Sequence, residues 1–340
     1  MKLLSKTYGT ILFSVLLLFV LQKSQAQDTT YVDVLDFYAT NTVSWVNQIP
    51  HLKEDLKKSN KGWFKRLLLG KNEVTTLQKP VDVIGFDHGD CIIFDQGNGT
   101  IFISEDNDLE IPKFLRKDET YYPSLVGACI LTDQRILFTD SKLNKIFIFS
   151  ADRKQVTELN SNLELTQPTG IAFNNSTNQI WVVETGAHRI SILDITGKRI
   201  KTFGQRGSVP GEFNYPTSIC IGSDGNTYIV DALNYRIQIF DAHGNFIFEF
   251  GENGNGTGFF ASPKGIATDS YGNIYVVDAL FHTVQIFDNK GNYLYNFGAQ
   301  GRDINQFWMP SGIFIDKNNH IYIADSYNSR IQIFDLNYIE

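Results

Sequence analysis

A six-bladed β-propeller of four-stranded antiparallel blades is the all-β fold that this 340-residue sequence predicts, closed by an N-terminal strand and preceded by a short helix. Three observations lead there. A proline opens six successive units, at Pro80, Pro123, Pro168, Pro216, Pro263 and Pro310, with spacings of 43 to 48 residues. Each unit carries runs of five or six β-branched and aromatic residues bounded by Gly or Asn, which reads as strand-turn-strand. A fourth run follows the third, as in Asn245–Gly251 and Asn292–Gly298. Four strands in a unit of about 45 residues make a propeller blade, and the missing 3.6-residue pattern excludes a helical repeat.

The last three units superimpose almost residue for residue. Pro216–Ile221, Thr227–Asp231 and Arg236–Asp241 match Pro263–Ala267, Ile274–Asp278 and Val284–Asp288. The same order returns at Pro310–Ile315, Ile321–Asp325 and Arg330–Asp335. The sixth unit ends soon after its third run, so its fourth strand has to come from the N-terminal side, because an open ring would leave two sheet edges unpaired. Thr42–Ile49 is the expected closing strand. Trp63–Leu69, with apolar residues at helical spacing and Lys61, Lys65 and Arg66 around them, is the other candidate; it reads better as the short helix at about 60–69, with contact to a membrane surface as a further possibility.

The start of the chain reads as a secretory signal over residues 1–26. Lys2 and Lys6 precede an apolar run from Ile11 to Leu21, and Ser24-Gln25-Ala26 places small residues at the cleavage positions. The expected organisation is therefore signal 1–26, N-terminal segment 27–79 and propeller 80–340. The location is exported: periplasmic, cell-surface or extracellular. Lys2, Lys6 and Lys23 leave with the signal, so 30 basic side chains fall to 27 against 37 acidic ones. A surface that acidic repels phosphate backbones, which excludes nucleic acid as a partner. Three cysteines, Cys91, Cys129 and Cys220, make no disulfide framework, and two of them sit inside apolar runs as small hydrophobes.

The order Pro-x-Gly-Ile-Ala, Gly-Asn-Ile-Tyr-Val-Val-Asp and Asn-x-Arg-Ile-Gln-Ile-Phe resembles the NHL-repeat family in its exported bacterial form. The resemblance runs from Pro80 to Asp335. It departs from the pattern at Thr100 and Lys145, where Arg236 and Arg330 stand in later units, and at Glu184, which replaces the Asp. Because Asp231, Asp278 and Asp325 recur blade after blade, their reading is structural: an Asx-type turn, or a pair with the Arg five residues on. Phe213, Phe260 and Phe307 repeat in the same way and are expected to plug the gaps between blades.

Function is sought where blades differ. The loops between second and third strands contribute His188, Tyr235, Phe281, His282 and Tyr327, and the blade-to-blade loops add Arg206 and Arg302. Exposed aromatics with Arg anchor recognition surfaces, so these seven form the candidate binding rim. No nucleophile elbow, His-Glu-x-x-His or phosphate loop occurs. His51, His88, His243 and His320 are scattered, and His188 with His282 would need a third ligand to hold zinc. Related amidating lyases use metal-bound histidines near strand starts. The matching positions here, Ser124, Thr169, Ser218, Gly265 and Gly312, carry none. The expected function is an exported binding scaffold for a protein, peptide or glycan. It is expected to be monomeric, without a required cofactor or catalytic residue. The competing reading is a lyase or hydrolase with zinc or calcium in the central channel.

Overall fold

The computed structural model describes residues 41–50, 76–86, 89–105, 108–117 and 120–338. The expected signal at 1–26 and helix at about 60–69 lie outside them. Residues 43–336 form one compact unit. It contains six four-stranded antiparallel sheets. Strand β1 spans Asn41–Ile49, and numbering runs along the chain to β24, Arg330–Tyr338. Each of the first five blades is a meander of four consecutive strands. Their first strands are β2 (Pro80–Gly85), β6 (Leu125–Ile130), β10 (Pro168–Asn174), β14 (Pro216–Ile221) and β18 (Pro263–Thr268). The sixth blade starts at β22 (Ile313–Ile315), continues through β23 (His320–Asp325) and ends on β1, which pairs with β24. The expected closing strand is therefore in place. Its end is pinned by Gln48, whose Oε1 accepts from Arg330 Nη1 at 3.0 Å.

Blade two starts later than the proline spacing implies. Leu125 faces Asp140 across the sheet, as Pro80 faces Asp95, Pro168 faces Glu184, Pro216 faces Asp231 and Pro263 faces Asp278. Pro123 lies two residues upstream, outside the strand. The register is set by burial opposite the acid, which Leu125 supplies without a proline ring. A helix, α1 (Lys113–Lys117), joins blades one and two. The sequence pattern does not announce it, because five residues are too few for a period to show.

The second strands are buried apart from the half-buried first residues Gln179 and His320 of blades three and six, and they carry the largest side chains between blades. Trp181, Tyr228, Tyr275 and Tyr322 occupy equivalent places and are fully buried. At the ring closure Tyr322 lies against Gly85, where a Cβ would come within 2.3 Å of the ring, and its hydroxyl donates to the Phe86 carbonyl at 2.9 Å. Phe213, Phe260 and Phe307 are fully buried, each packed on a blade neighbour at Phe240, Phe287 or Phe334.

The six acids that end the second strands, Asp95, Asp140, Glu184, Asp231, Asp278 and Asp325, are completely buried. They are satisfied in two ways. Where Arg follows five residues on, a side-chain cluster forms. Asp325 accepts from Arg330 Nε at 2.7 Å, Asn328 at 2.8 Å and Gln332 at 3.2 Å, and Asp231 does the same with Arg236, Asn234 and Gln238. Where Arg is absent, the loop backbone substitutes. Asp140 accepts from the N–H groups of Ser124, Lys142 and Leu143, and Asp278 from those of Ala261, Ser262, Leu280 and Phe281. Burial alone would raise the Glu184 carboxyl, but Arg189 and Ser191 hold it below the usual carboxylate range. Replacing Arg330 with Met strands Asp325 without its cation and should cost about 3–5 kcal/mol. Denaturant unfolding measures it, and a loss under about 1 kcal/mol, the scale of an exposed pair, would contradict this account.

Candidate functional site

The first strands of the six blades surround a central cavity of about 380 Å³. Small residues let them approach. Two residues after Pro80, Leu125, Pro168, Pro216, Pro263 and Pro310 stand Asp82, Gly127, Gly170, Ser218, Gly265 and Gly312, all on the cavity wall. A Cβ at Gly265 would lie 2.5 Å from the Ser311 carbonyl oxygen, and one at Gly312 2.5 Å from that of Val81. Glycine here is a matter of strand-to-strand distance. Deeper in, Val83, Ala128, Ile171, Ile219, Ile266 and Ile313 give an apolar wall.

Asp82 is the exception in this ring of small residues. Its carboxylate accepts from its own strand at Val83 N (2.9 Å) and from the next blade at Ala128 N (2.8 Å). Burial raises its pKa from 3.8 to about 7, against the lowering effect of those two N–H donors.

Near the second-to-third-strand loops, hydroxyl pairs stitch the wall. Thr169 meets Thr185 at 2.7 Å, and Thr185 donates onward to the Pro216 carbonyl of the next blade at 2.5 Å. Ser311 and Ser326 repeat this, with Ser326 donating to Pro80 at 2.6 Å across the ring closure. Blades four and five lack the second member, having Ala232 and Ala279 in its place. The Thr217 hydroxyl there is buried with no partner. In blade five Lys264 stands where blades three, four and six have Thr or Ser and blades one and two have Val81 and Val126; it is half-buried, and its ammonium makes neither hydrogen bond nor salt bridge among the described residues. Burial lowers its pKa from the ordinary lysine value; the Asp278 carboxylate opposes the shift and Lys79 adds to it. Lys79 also lines the cavity, with its ammonium 2.8 Å from Gln96 Oε1 and 6.0 Å from the centre of the Tyr327 ring.

Of the seven rim residues, Tyr327 alone borders the cavity, and it is 59% exposed. His188, Tyr235 and His282 end their loops in the left-handed conformation, at φ of 52°, 56° and 56°. The two histidines act as staples: Nδ1 of His188 accepts from Tyr215 N and Nδ1 of His282 from Met309 N, each at 3.1 Å. His188 is buried, whereas Phe281 and His282 are half-buried. Arg206 and Arg302 are exposed, and Arg302 stacks over Trp308 with 4.9 Å from its guanidinium carbon to the ring centre. Sequence reasoning missed Lys79, Asp82, Thr217 and Lys264. The signal was there in the columns of the repeat, as Lys264 in a column of Val, Thr and Ser and Asp82 in a Gly/Ser column, but it needed the register of blade two to be read. Among the described residues no three His, Cys, Asp or Glu side chains gather as metal ligands. Burial pushes all three cysteine thiols up, with Asp90, Asp82 and Asp224 adding to the effect at Cys91, Cys129 and Cys220.

Comparison with known proteins matches this geometry. NHL-repeat models match residues 165–193 and 307–334, and a 6-bladed beta-propeller model matches residues 223–281. The chain is an NHL-repeat six-bladed β-propeller. A stretch of 108 residues is 33% identical to a protein named Lactonase drp35 from Staphylococcus saprophyticus; it covers 30% of this chain and 32% of that protein, about a third of its length. This NHL-repeat propeller also resembles solved structures. One is an auxiliary nutrient binding protein from Bacteroides ovatus, with a TM-score of 0.61 and 14% identity over 88% of this chain and 77% of that one. Another is virginiamycin B lyase from Staphylococcus aureus, with a TM-score of 0.54 and 18% identity over 77% of this chain and 98% of that one. Identities this low establish a shared fold alone.

The raised Asp82 carboxyl has a measurable consequence. A carboxyl whose folded pKa exceeds its unfolded value favours the fold while protonated. Its contribution is complete below about 4 and is lost as pH rises through about 7. Asp82→Asn removes the titration, so the variant should gain stability relative to the parent between pH 4 and pH 8 in paired urea melts. Parallel pH profiles would show that Asp82 ionises freely in the fold.

Proposed function

We propose that this propeller is an exported binding scaffold that takes its ligand on the loop face and seats it in the central cavity. The observation that carries the reading is the cavity itself, with an apolar wall and a few polar groups at the level of the loops. Its volume of about 380 Å³ falls within the range of small-ligand sites, which are mostly apolar with a few placed polar groups. A small molecule, a sugar end or a peptide end fits that size. Tyr327 and the Arg302–Trp308 stack would meet whatever part of the ligand stays outside. One fold relative is a nutrient-binding protein, which is consistent with this reading, and its low identity keeps that support to the fold. Among the described residues no helix is long and apolar enough to cross a membrane.

The lactonase and lyase names among the similar proteins keep the metal-dependent alternative worth testing. Elemental analysis of the purified protein separates the two readings. Stoichiometric zinc or calcium together with chelator-sensitive lactone or lyase turnover would replace the scaffold reading. Its own test is a thermal-shift screen of metabolites, oligosaccharides and short peptides against the parent chain and an Ala128→Phe variant that fills the cavity. Compounds that raise the melting temperature of the parent should lose that effect in the variant. Retention of every hit in the filled variant would place binding elsewhere.

A further inference from the structure

We infer that the cavity recognises the carboxylate of an organic acid with an apolar body, through Lys264 and Thr217 on one side and Lys79 on the other. The inference rests on the binding reading above and specifies its ligand class. Its first support is a break in the repeat. The hydroxyl pair that stitches blades three and six is missing from the two blades between them, through Ala232 and Ala279, while blades one and two carry Val81 with Gln96 and Val126 with Ser141 in these places. The break leaves a buried hydroxyl without a partner at Thr217 and an ammonium without one at Lys264. Both belong to the cavity wall. A hydroxyl and a cation left unpaired cost stability in an empty site and are satisfied by an anionic acceptor.

The second support is charge. Lys79 reaches the same cavity from blade one, on the far side of blade six. Two half-buried lysines facing one cavity repel each other until an anion stands near them. The Asp278 carboxylate, whose charge acts on Lys264, accepts from Ala261, Ser262, Leu280 and Phe281 and makes no salt bridge with it, so it does not stand in for a ligand. Asp82 is committed to Val83 and Ala128 on the side of blades one and two. Below the lysines the wall is aliphatic, at Val83, Ile171, Ile219 and Ile266, which suits a hydrocarbon or aromatic body and disfavours a sugar.

The test compares acids with their neutral amides. Hexanoate and hexanamide, phenylacetate and phenylacetamide, and acetyl-Ala-Val-Leu with a free or amidated terminus are titrated against the full chain by ligand-observed NMR and calorimetry. At least one acid should bind about tenfold or more tightly than its amide, the loss expected for a charge-assisted hydrogen bond in a half-buried site. Lys264→Met should weaken the acid by a similar factor, Lys264→Arg should restore part of it, and Thr217→Val should give a smaller loss. A response confined to the free peptide assigns the carboxylate to a chain terminus, and a response to the small acids assigns it to a free metabolite; both support the inference. Equal binding of acids and amides, or indifference to Lys264→Met, overturns it. So does silence from the whole panel. If neutral compounds still bind and Ala128→Phe abolishes that binding, the cavity-binding reading survives while the carboxylate inference falls.

Discussion

A four-stranded blade has two apolar faces and no layer of its own to cover either. Each must be covered by the next blade, so the chain is stable only as a closed ring. The second strands show how far this goes: in every blade from three to six a Trp or Tyr is fully buried between neighbours. Closure therefore governs the rest of the molecule. β1 has to return to β24, Tyr322 has to find Gly85, and Ser326 has to reach the Pro80 carbonyl. The same demand draws the six first strands together at the axis, where glycine sets the spacing and the remaining space is the cavity.

Repetition and exception carry different information in such a ring. The buried acids recur in all six blades and tie each loop to its sheet, whether through Arg and Asn side chains or through backbone N–H groups. The histidines of blades three and five prove to be of this kind as well, since each staples its loop to the strand entry of the following blade. The exceptions gather at the axis. Ala232 and Ala279 interrupt the hydroxyl stitching, Lys264 is the one charged residue in a column of Val, Thr and Ser, and Asp82 takes a Gly/Ser place. A departure that leaves polar groups unsatisfied costs the fold free energy, and the ligand-facing wall is where that cost has a use.

Much of this was legible beforehand. Blade number, strand order, the closing strand, the structural role of the acids and the Phe plugs all follow from the period and from alternating apolar runs, because these depend on local pattern. The start of blade two did not follow, since proline was read as the marker when burial opposite Asp140 is what sets the register. The rim was legible as a set of loop residues, but its accessibility was not. His188 turned inward to accept a backbone N–H, and Tyr327 alone of the seven reached the cavity.

The amino-acid sequence by itself determined the architecture, because β-propensity, turn chemistry and the repeat act over a few residues at a time and agree with one another. Only the tertiary structure decided which side chains share the axis. Thr217, Lys264 and Lys79 are separated by 47 and 185 positions along the chain, and ring closure alone puts them around one cavity. The physical reason is that a site at the hub of a ring is assembled from one strand of each blade. Its composition appears only once the register of every blade is known.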